Sequence, residues 1–373
     1  MSVRLLDSEA YGRALALRDL TDAALGPHAL QLLVRDAVTA LAERWRCTVV
    51  VHRAPSVVTI ADNYDALGHP ADGAARDARY TRYVAPDRLL RTQTSAMIPA
   101  ALRMLGPASY DDVLLVCPGL TYRRDAIDRL HVGEPHQLDL WRIARRPLGR
   151  TALEEMIDVA AHAMLPGAAL TLSAASHPYT VDGLEVHAEV DGRVVEILEC
   201  GLAAPRILDD AGLSSAEHHG LAMGVGLDRM LMLRKGVADI RALRSTDPRV
   251  ATQMLDLAPY RPVSSQPVIR RDLSIAVPAE ATLEELGDRA RQTLGARCAS
   301  VEAIEVLSET PHADLSPAAR ERLGIAAGQK NVLLRVVICD LERTLTAAEA
   351  NALRDAIYAA LHAGNVHAWA PNA

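Results

Sequence analysis

The stretch Pro118–Trp141, PGLTYRRDAIDRLHVGEPHQLDLW, decides how the rest of the chain is interpreted. The apolar run Val113–Cys117 before it predicts a buried strand that ends at Pro118–Gly119. A charged loop follows, and the chain returns through a second short strand that carries Asp139. Two strands joined in this way would place Arg123 and nearby histidines on one face of a sheet. A guanidinium fork beside histidine donors suits a polyphosphate.

This stretch resembles motif 2 of the class II aminoacyl-tRNA synthetases and, more narrowly, the catalytic subunit of phenylalanyl-tRNA synthetases. The family pattern runs roughly PGxVYRxDxxDxTHxxxFHQxEG. Six residues fall on that pattern: Arg123, Asp125, Asp128, His131, His136 and Gln137. Asp139 replaces the Glu of the family, and Pro135 replaces a Phe. We therefore expect the other class II motifs in order along the chain.

Length and composition limit the number of domains, the cellular location and the partners that can be expected. A chain of 373 residues predicts two or three domains with a sizeable core. Its five cysteines lack CxxC spacing and are typical of reduced thiols. Neither a secretory signal nor an apolar run of about 18 residues is found, so we expect a cytoplasmic protein without a membrane partner. A net charge of -7 argues against a general nucleic-acid binder, so any RNA contact must come from local patches.

An amphipathic helix is predicted from Gly26 onward, because its apolar residues recur at spacings of three and four. The apolar stripe consists of Leu30, Leu33, Ala37, Leu41 and Trp45. The strand Cys47–Val51 follows. A long helix followed by a strand is similar to motif 1, the dimer-forming element of the family, and we expect a homodimer or a monomer.

Two further stretches resemble phenylalanyl-synthetase landmarks. They are Asn63–Pro70, NYDALGHP, and Leu89–Ser95, LLRTQTS. The resemblance implies that Ser95 helps to bind the ammonium group of the amino acid. The alternative is that Ser95 caps the predicted helix Ala96–Leu105.

The glycine-rich stretch Gly220–Leu233, GLAMGVGLDRMLML, predicts a strand that enters a helix and resembles motif 3. Gly224 and Gly226 would let a nucleotide lie against the backbone, because a Cβ atom would intrude there. Arg229 opens the helix and is expected to point back at the site. Upstream, Glu196 and Glu199 bracket the end of a predicted strand, where the resemblance implies that acids hold Mg²⁺.

A second domain is predicted after the Pro-rich linker 259–267, so that residues 1–258 form the catalytic domain and 268–373 the second. Predicted elements follow in the order β-α-β-β-α, which is ferredoxin-like, and Thr346 with Glu349 forms a capping box for the last helix. The segment resembles the ferredoxin-fold anticodon-binding domain of single-chain, organellar phenylalanyl-tRNA synthetases. From Pro262 onward it carries 11 basic and 14 acidic side chains, so tRNA contacts would depend on local residues such as Arg271 and Arg343.

The predicted fold class is therefore α+β, with the antiparallel sheet and flanking helices of a class II synthetase followed by a ferredoxin-like domain. The resemblance implies an ATP-dependent ligase that uses Mg²⁺ and forms an aminoacyl adenylate before transfer to tRNA. The implied catalytic residues are Arg123, Arg229 and His131. The implied ATP-binding set is Arg123, Asp125, His131, Glu196, Gly224, Gly226 and Arg229. The implied amino-acid-binding set is Ser95, Gln137, Asp139, His177, Tyr179 and Ala222.

The chain contains no phenylalanine, although it has nine Tyr, nine Met and three Trp. His177 and Tyr179 stand where the family has two phenylalanines beside its substrate. The amino acid is therefore expected to be phenylalanine or a polar or aromatic analogue, and the acceptor a tRNA of the phenylalanine type. Two alternatives stay open: a paralogue that passes its adenylated amino acid to a non-tRNA acceptor, and a non-catalytic RNA-binding paralogue.

Overall fold

The computed structural model describes residues 5–106, 110–190, 192–263 and 267–367. Contacts divide the chain into two units. The first unit takes in the chain up to Arg123, then Glu134–Ala238 and Thr252–Tyr260. The second takes in Arg124–Gly133, Asp239–Ala251 and the chain from Arg261. Segments 124–133 and 239–251, predicted within the first domain, thus group with the second. Residues 264–266 of the predicted linker and those after 367 lie outside the described residues.

The first unit contains both helices and strands. Its strands are β1 Thr48–Val51, β2 Val57–Thr59, β3 Tyr83–Ala85, β4 Arg88–Leu90, β5 Asp112–Leu120, β6 His136–Ala144, β7 Ala169–Ala174, β8 Thr180–Val190, β9 Arg193–Ala203 and β10 His219–Gly226. Its helices are α1 Ser8–Leu15, α2 Ala29–Trp45, α3 Ile98–Leu105, α4 Arg150–Met164, α5 Pro205–Asp210 and α6 Leu227–Lys235.

In the described part of the first unit, seven strands form the main sheet in the order β1-β5-β6-β10-β9-β8-β7. The sheet is mixed, because β1 runs parallel to β5 while the other neighbours are antiparallel. This corrects the prediction of an antiparallel sheet. Strand β5 also continues through Pro118 and Gly119 to Leu120, past its predicted end, because the pairing with β6 extends that far.

Helices cover both faces of the main sheet. Helix α2 packs against α4 and α6, and these helices contact strands of the sheet. The predicted apolar stripe from Leu30 to Trp45 is confirmed, since all five of its residues are buried. The other face of the sheet is covered by the turn Thr94–Met97 and by α3 and α5, whose apolar side chains share one core with Trp141.

The second unit is also α+β. Its elements are α7 Pro248–Ala251, β11 Ile269–Pro278, α8 Leu283–Leu294, β12 Val301–Pro311, α9 Pro317–Leu323, β13 Gln329–Ile338 and α10 Ala347–Leu361. Its three described strands form an antiparallel sheet in the order β11-β13-β12. Strands and both long helices share an apolar core that includes Leu273, Val336 and Ile357. The predicted capping box of Thr346 and Glu349 is confirmed at the start of α10.

No helix in the described ranges has both the length and the apolar character needed to span a bilayer.

Candidate active site

Residues that pair across neighbouring strands share a face of the sheet, and two adjacent rows of paired residues in the main sheet carry four of the predicted site residues. The first, called here the carboxylate row, consists of Cys117, Asp139, Gly224 and Glu199. The second, called the tryptophan row, lies two residues away from the first on each strand and consists of Leu115, Trp141, Ala222 and Gly201. Because side chains alternate along a strand, both rows lie on the face that carries α3.

The floor of the site is open backbone at the end of β10. A Cβ atom added to Gly224 would meet no atom within 4 Å, and one added to Gly226 would meet only the Ile197 carbonyl oxygen, at 4.0 Å. Both positions therefore offer bare backbone to whatever lies above them. This is the geometry expected of a surface that a flat ligand approaches closely.

Asp139 lies at one side of this floor and is held by neutral donors. Its carboxylate accepts hydrogen bonds from Thr94 Oγ1 at 2.6 Å, Ser95 Oγ at 2.9 Å and Trp141 Nε1 at 3.2 Å. Gln137 lies beside it and accepts a hydrogen bond from the Thr94 amide at 3.3 Å. Burial raises the pKa of Asp139 to about 6, although the hydrogen bonds from Thr94, Ser95 and Trp141 oppose the shift. A buried carboxylate of this kind can bind a substrate ammonium group.

Ser95 does not cap a helix. Helix α3 begins at Ile98, its N-cap residue is Met97, and no side chain caps it. The Ser95 hydroxyl is instead directed at Asp139. The alternative interpretation of Ser95 as a helix cap is therefore wrong.

Three rings form a column beside Asp139. The Tyr179 ring stacks on Trp141 with centroids 6.1 Å apart, and it also stacks on His177 with centroids 5.8 Å apart. The His69 ring lies 6.3 Å from Tyr179. Burial raises the pKa of the Tyr179 phenol above its ordinary value. With His69 included, the rings come from three distant parts of the sequence.

Glu199 closes the other side of the floor. Its carboxylate lies 3.1 Å from His177 Nε2, while His177 Nδ1 lies 3.2 Å from Thr180 Oγ1. The His177 contact, followed by Arg123, holds the pKa of Glu199 below its ordinary value although burial opposes this. Both ring nitrogens of His177 are thus engaged within the protein.

Glu196 and Glu199 share a face because β9 is irregular. Glu199 pairs with Glu185, Leu198 with Val186, and Glu196 with His187, so that one residue of β9 is skipped. The two residues are three positions apart, and side chains alternate between the two faces of a regular strand. Without this bulge, the two carboxylates would therefore lie on opposite faces. The prediction that they bracket the end of a strand is wrong, since β9 continues to Ala203.

Arg229 and Arg123 supply positive charge near these acids. Arg229 at the start of α6 lies 3.6 Å from Glu196. Arg123 donates through Nε to the Thr92 carbonyl at 2.8 Å, which fixes the plane of its guanidinium. Among the residues that the structure describes, Arg123 forms no ion pair within 4.0 Å, so its charge is not neutralised by a carboxylate in direct contact. Its field still reaches Glu199.

The acids fit a Mg²⁺ ion that is shared with a substrate. No group of three or more His, Cys, Asp or Glu residues in the described chain could hold a metal ion by itself. Mg²⁺ usually takes one or two carboxylates, with waters and substrate phosphates as its other ligands. Glu196 and Glu199, on one face of β9, satisfy that requirement.

Four predicted site residues belong to the second unit. The Asp125 carbonyl accepts a hydrogen bond from Arg291, and His131 Nδ1 lies 2.8 Å from Asp128. Arg343 pairs with Glu349 at 2.7 Å, and Arg271 donates to Asn351 Oδ1 at 2.9 Å. The ATP-binding role of the first two and the tRNA-binding role of Arg271 and Arg343 stay predictions.

Several residues of the site were missed by sequence reasoning. Thr94 precedes Ser95 in the quoted LLRTQTS stretch and could have been chosen from it. Gln93 lies 3.2 Å from the His69 ring and also donates to the Asn63 carbonyl. Trp141, at the end of the opening stretch, carried no polar signal that would have distinguished it from a core residue.

Comparisons with known proteins bear on the first unit. The family model for the tRNA synthetases class II core domain (F) matches residues 33–254. The phenylalanine–tRNA ligase alpha subunit of Prochlorococcus marinus (strain NATL2A) is 32% identical over 203 residues, which are 54% of this chain and 59% of that protein. The alpha subunit of Synechocystis sp. is 34% identical over 202 residues, 53% of this chain and 59% of that protein. The chain thus spans about three fifths of the length of these curated relatives.

Proposed function

The chain belongs to the family of tRNA synthetase class II core domains, and we propose that it is an ATP-dependent ligase of the phenylalanine–tRNA ligase type. It would activate an amino acid to an aminoacyl adenylate and transfer the aminoacyl group to tRNA. The observation that carries the proposal is the open floor at Gly224 and Gly226, with the buried carboxylate of Asp139 beside it. The open floor suits a nucleotide, and the Asp139 carboxylate suits an ammonium group.

The chemistry follows from charge and position. The carboxylate of the amino acid attacks the α-phosphate of ATP, and pyrophosphate leaves. Arg123 would neutralise charge at the α-phosphate and Arg229 at the outer phosphates, while Asp139, Gln137 and Ser95 would hold the ammonium group. Such reactions depend on alignment and charge neutralisation more than on covalent help from the protein.

Mg²⁺ would be held by Glu196 and Glu199 and would supply charge neutralisation at the phosphates. Arg229 and His177 contact these two acids and would fix their orientation. His131 and Asp125 are the further ATP ligands that the motif 2 resemblance implies. Of these two residues, His131 would reach the outer phosphates.

The second unit would serve as a ferredoxin-like anticodon-binding domain, with Arg271 and Arg343 among its tRNA contacts. Its elements from β11 to α10 follow the order β-α-β-α-β-α, which is the predicted β-α-β-β-α order with the short helix α9 added between β12 and β13, and this supports the assignment. The partner is then a tRNA of the phenylalanine type, and the chain would act as a monomer or homodimer in the cytoplasm. For the amino acid, the sequence leaves phenylalanine and a polar or aromatic analogue as candidates.

One observation favours the alternative of a non-tRNA acceptor. Several basic side chains of the second unit are already paired with acids: Arg335 with Asp272 at 2.9 Å, and Arg343 with Glu349 at 2.7 Å. A phosphate backbone would have to compete with those carboxylates. An acceptor without phosphates would meet no such competition.

Two assays separate these possibilities. ATP–pyrophosphate exchange without tRNA measures adenylate formation, and aminoacylation of total tRNA measures transfer. We expect exchange and tRNA charging, with both lost in Arg123→Ala and kept in Arg150→Ala, a control at an exposed arginine of α4. Exchange without charging would support the non-tRNA acceptor. Activity of neither kind in folded protein would contradict an enzymatic function.

A further inference from the structure

His136, the first residue of β6, is a buried histidine that has no part in the proposed chemistry. Its side chain is fully buried. The ring nitrogen Nε2 accepts a hydrogen bond from the Leu20 amide at 3.1 Å. Because Nε2 is an acceptor, it carries no proton, and the single proton of the neutral ring lies on Nδ1. The surroundings of the ring thus fix its tautomer.

Asp228, the second residue of α6, receives hydrogen bonds from His136 at two places. Its carboxylate lies 3.0 Å from Nδ1, the protonated nitrogen of the ring, and it also accepts from the His136 backbone amide. Asp228 is 3% exposed, so water does not compete for these contacts. Hydrogen bonds to a charged acceptor are stronger than those between neutral groups. The start of α6 is therefore joined to the start of β6 by two buried hydrogen bonds.

Both residues of this pair are direct neighbours of predicted site residues. His136 precedes Gln137, which is proposed to hold the ammonium group and which pairs with Gly226 across β6 and β10. Asp228 precedes Arg229, which is proposed to neutralise charge at the outer phosphates. The pair thus joins the strand that carries one half of the site to the helix that carries the other half.

The direction of Arg229 depends on the rotation of the first turn of α6. Its N-cap residue is Gly226, which has no side chain of its own to hold this turn. Successive side chains leave a helix about 100° apart, so a side chain held at Asp228 also sets the direction of the next one. A rotation of about 10° would move a group about 6 Å from the helix axis by about 1 Å. A displacement of that size at a catalytic group can lower a rate about a hundredfold.

We infer that His136 and Asp228 are positioning residues for ATP binding, because they hold the first turn of α6 in the rotation that directs Arg229 at the outer phosphates. The inference rests on the proposed adenylate-forming function and adds two residues to it. Neither residue touches the nucleotide, and both act through Arg229. A buried pair of this kind adds little stability compared with apolar packing, but it specifies how the elements that it joins are aligned.

The test compares the binding of ATP and AMP to the full chain, measured by calorimetry in the presence of Mg²⁺. AMP lacks the outer phosphates, so only the affinity for ATP should report on Arg229. His136→Gln places an amide near the position of Nε2, where it can accept from Leu20, but it offers no donor at the position of Nδ1. We expect the affinity for ATP to fall about tenfold and that for AMP to change less than about twofold.

His136→Asn is the matched control. Its amide lies near the position of Nδ1, so the donor to Asp228 is kept and the acceptor for Leu20 is lost. Each His136 variant loses one buried hydrogen bond, and thermal unfolding should show similar destabilisation of both. We expect His136→Asn to bind ATP within about twofold of the wild-type chain, which a purely structural role of His136 does not predict.

Asp228→Asn supplies a second variant that does not alter the histidine. An amide offers one oxygen to the two donors of His136, so we expect the same selective loss of ATP affinity as in His136→Gln. In the Arg229→Ala background, Asp228→Asn should cause no further loss, because its effect passes through Arg229.

Equal affinities for ATP in His136→Gln and His136→Asn would overturn the inference and leave the proposed function standing. The same conclusion would follow if Asp228→Asn weakened ATP and AMP equally, or if its effect persisted in Arg229→Ala. Should His136→Gln fail to fold, the comparison of Asp228→Asn in the two backgrounds decides alone. Binding of neither nucleotide to the folded wild-type chain would overturn both the inference and the proposed function.

Discussion

The carboxylate row and the tryptophan row are neighbours on one sheet, yet they differ in what lies above the backbone. A Cβ atom on Gly224 would meet nothing within 4 Å, whereas one on Gly201 would lie 2.7 Å from the Thr180 Cβ. Both residues are strand glycines on the same face. The first leaves space for a ligand, and the second leaves space for the protein itself. A glycine in a strand therefore indicates close approach, and the tertiary structure decides what approaches.

The largest effect on activity is expected from placing a side chain at Gly224 in the carboxylate row. Gly224→Val should lower the rate of ATP–pyrophosphate exchange about a hundredfold, because side-chain carbons would displace the nucleotide from the floor. Stability should stay within about 0.5 kcal/mol, since the new atoms enter open space. Gly149→Val, at another open glycine outside the sheet, is the control and should leave exchange unchanged. Normal exchange in Gly224→Val would show that no ligand uses this floor.

In the tryptophan row, we expect a substituted glycine to reduce the stability of the fold. Gly201→Ala should lower the free energy of unfolding by about 1–3 kcal/mol, because its Cβ would overlap Thr180 and approach the Val181 carbonyl oxygen at 3.1 Å. Urea denaturation measures the change, and Gly224→Ala is the matched control with little expected loss. Equal stability of the two variants would mean that the rows do not differ in packing.

A smaller effect should follow from pH, because Asp139 titrates near neutrality. Its pKa is raised to about 6, so the carboxylate that binds the ammonium group is lost as pH falls below that value. We expect the exchange kcat/KM for the amino acid to fall about tenfold between pH 7 and pH 5. Asp139→Asn should have low activity and no such step. A wild-type profile without a step in this window would contradict the role of Asp139.

The raised pKa of Asp139 also predicts the direction in which stability changes with pH. Because the folded pKa lies above the ordinary value of 3.8, the folded chain binds this proton more tightly than the unfolded chain does. The contribution of Asp139 to stability is therefore highest below about pH 4 and falls as pH rises to about 6. The difference in unfolding free energy between wild type and Asp139→Asn, measured at several pH values, isolates this contribution.

The smallest effect is expected at the edge of the ring column. Arg206 donates to the Leu67 carbonyl at 3.2 Å and the Pro178 carbonyl at 2.9 Å, joining the segments that carry His69 and Tyr179. Arg206→Ala should raise the KM for the amino acid about fivefold, as expected for the loss of about 1 kcal/mol of positioning contacts. The kcat should change little. A changed kcat with an unchanged KM would place Arg206 in a different role.

Local patterns in the sequence predicted much of the fold. The spacing of Leu30, Leu33 and Leu41 predicted the buried stripe of α2, and Thr346 with Glu349 predicted the cap of α10. The alternation of glycines before Arg229 predicted a strand entering a helix, as β10 and α6 show. These features depend on neighbours within a few residues, and such interactions can be read directly from sequence spacing.

Other features depended on contacts between distant residues. The bulge in β9 places Glu196 and Glu199 on one face. The bulge is visible only in how β9 pairs with β8, and the sequence of β9 alone does not indicate it. Asp125 and His131 lie in the motif 2 stretch but group with the second unit. The stacking of Tyr179 on Trp141 joins residues far apart in the chain.

The sequence by itself predicted helices and strands, because their periodicities are local, and the resemblance of its motifs to those of class II synthetases predicted the class II core and the charged residues of its site. Only the tertiary structure decided which part of the sheet face is open. Whether a site is empty or filled depends on side chains that arrive from other strands and loops, as Tyr179 reaches Trp141 and Thr180 reaches Gly201. Packing of this kind is set by the whole fold, so no local pattern records it.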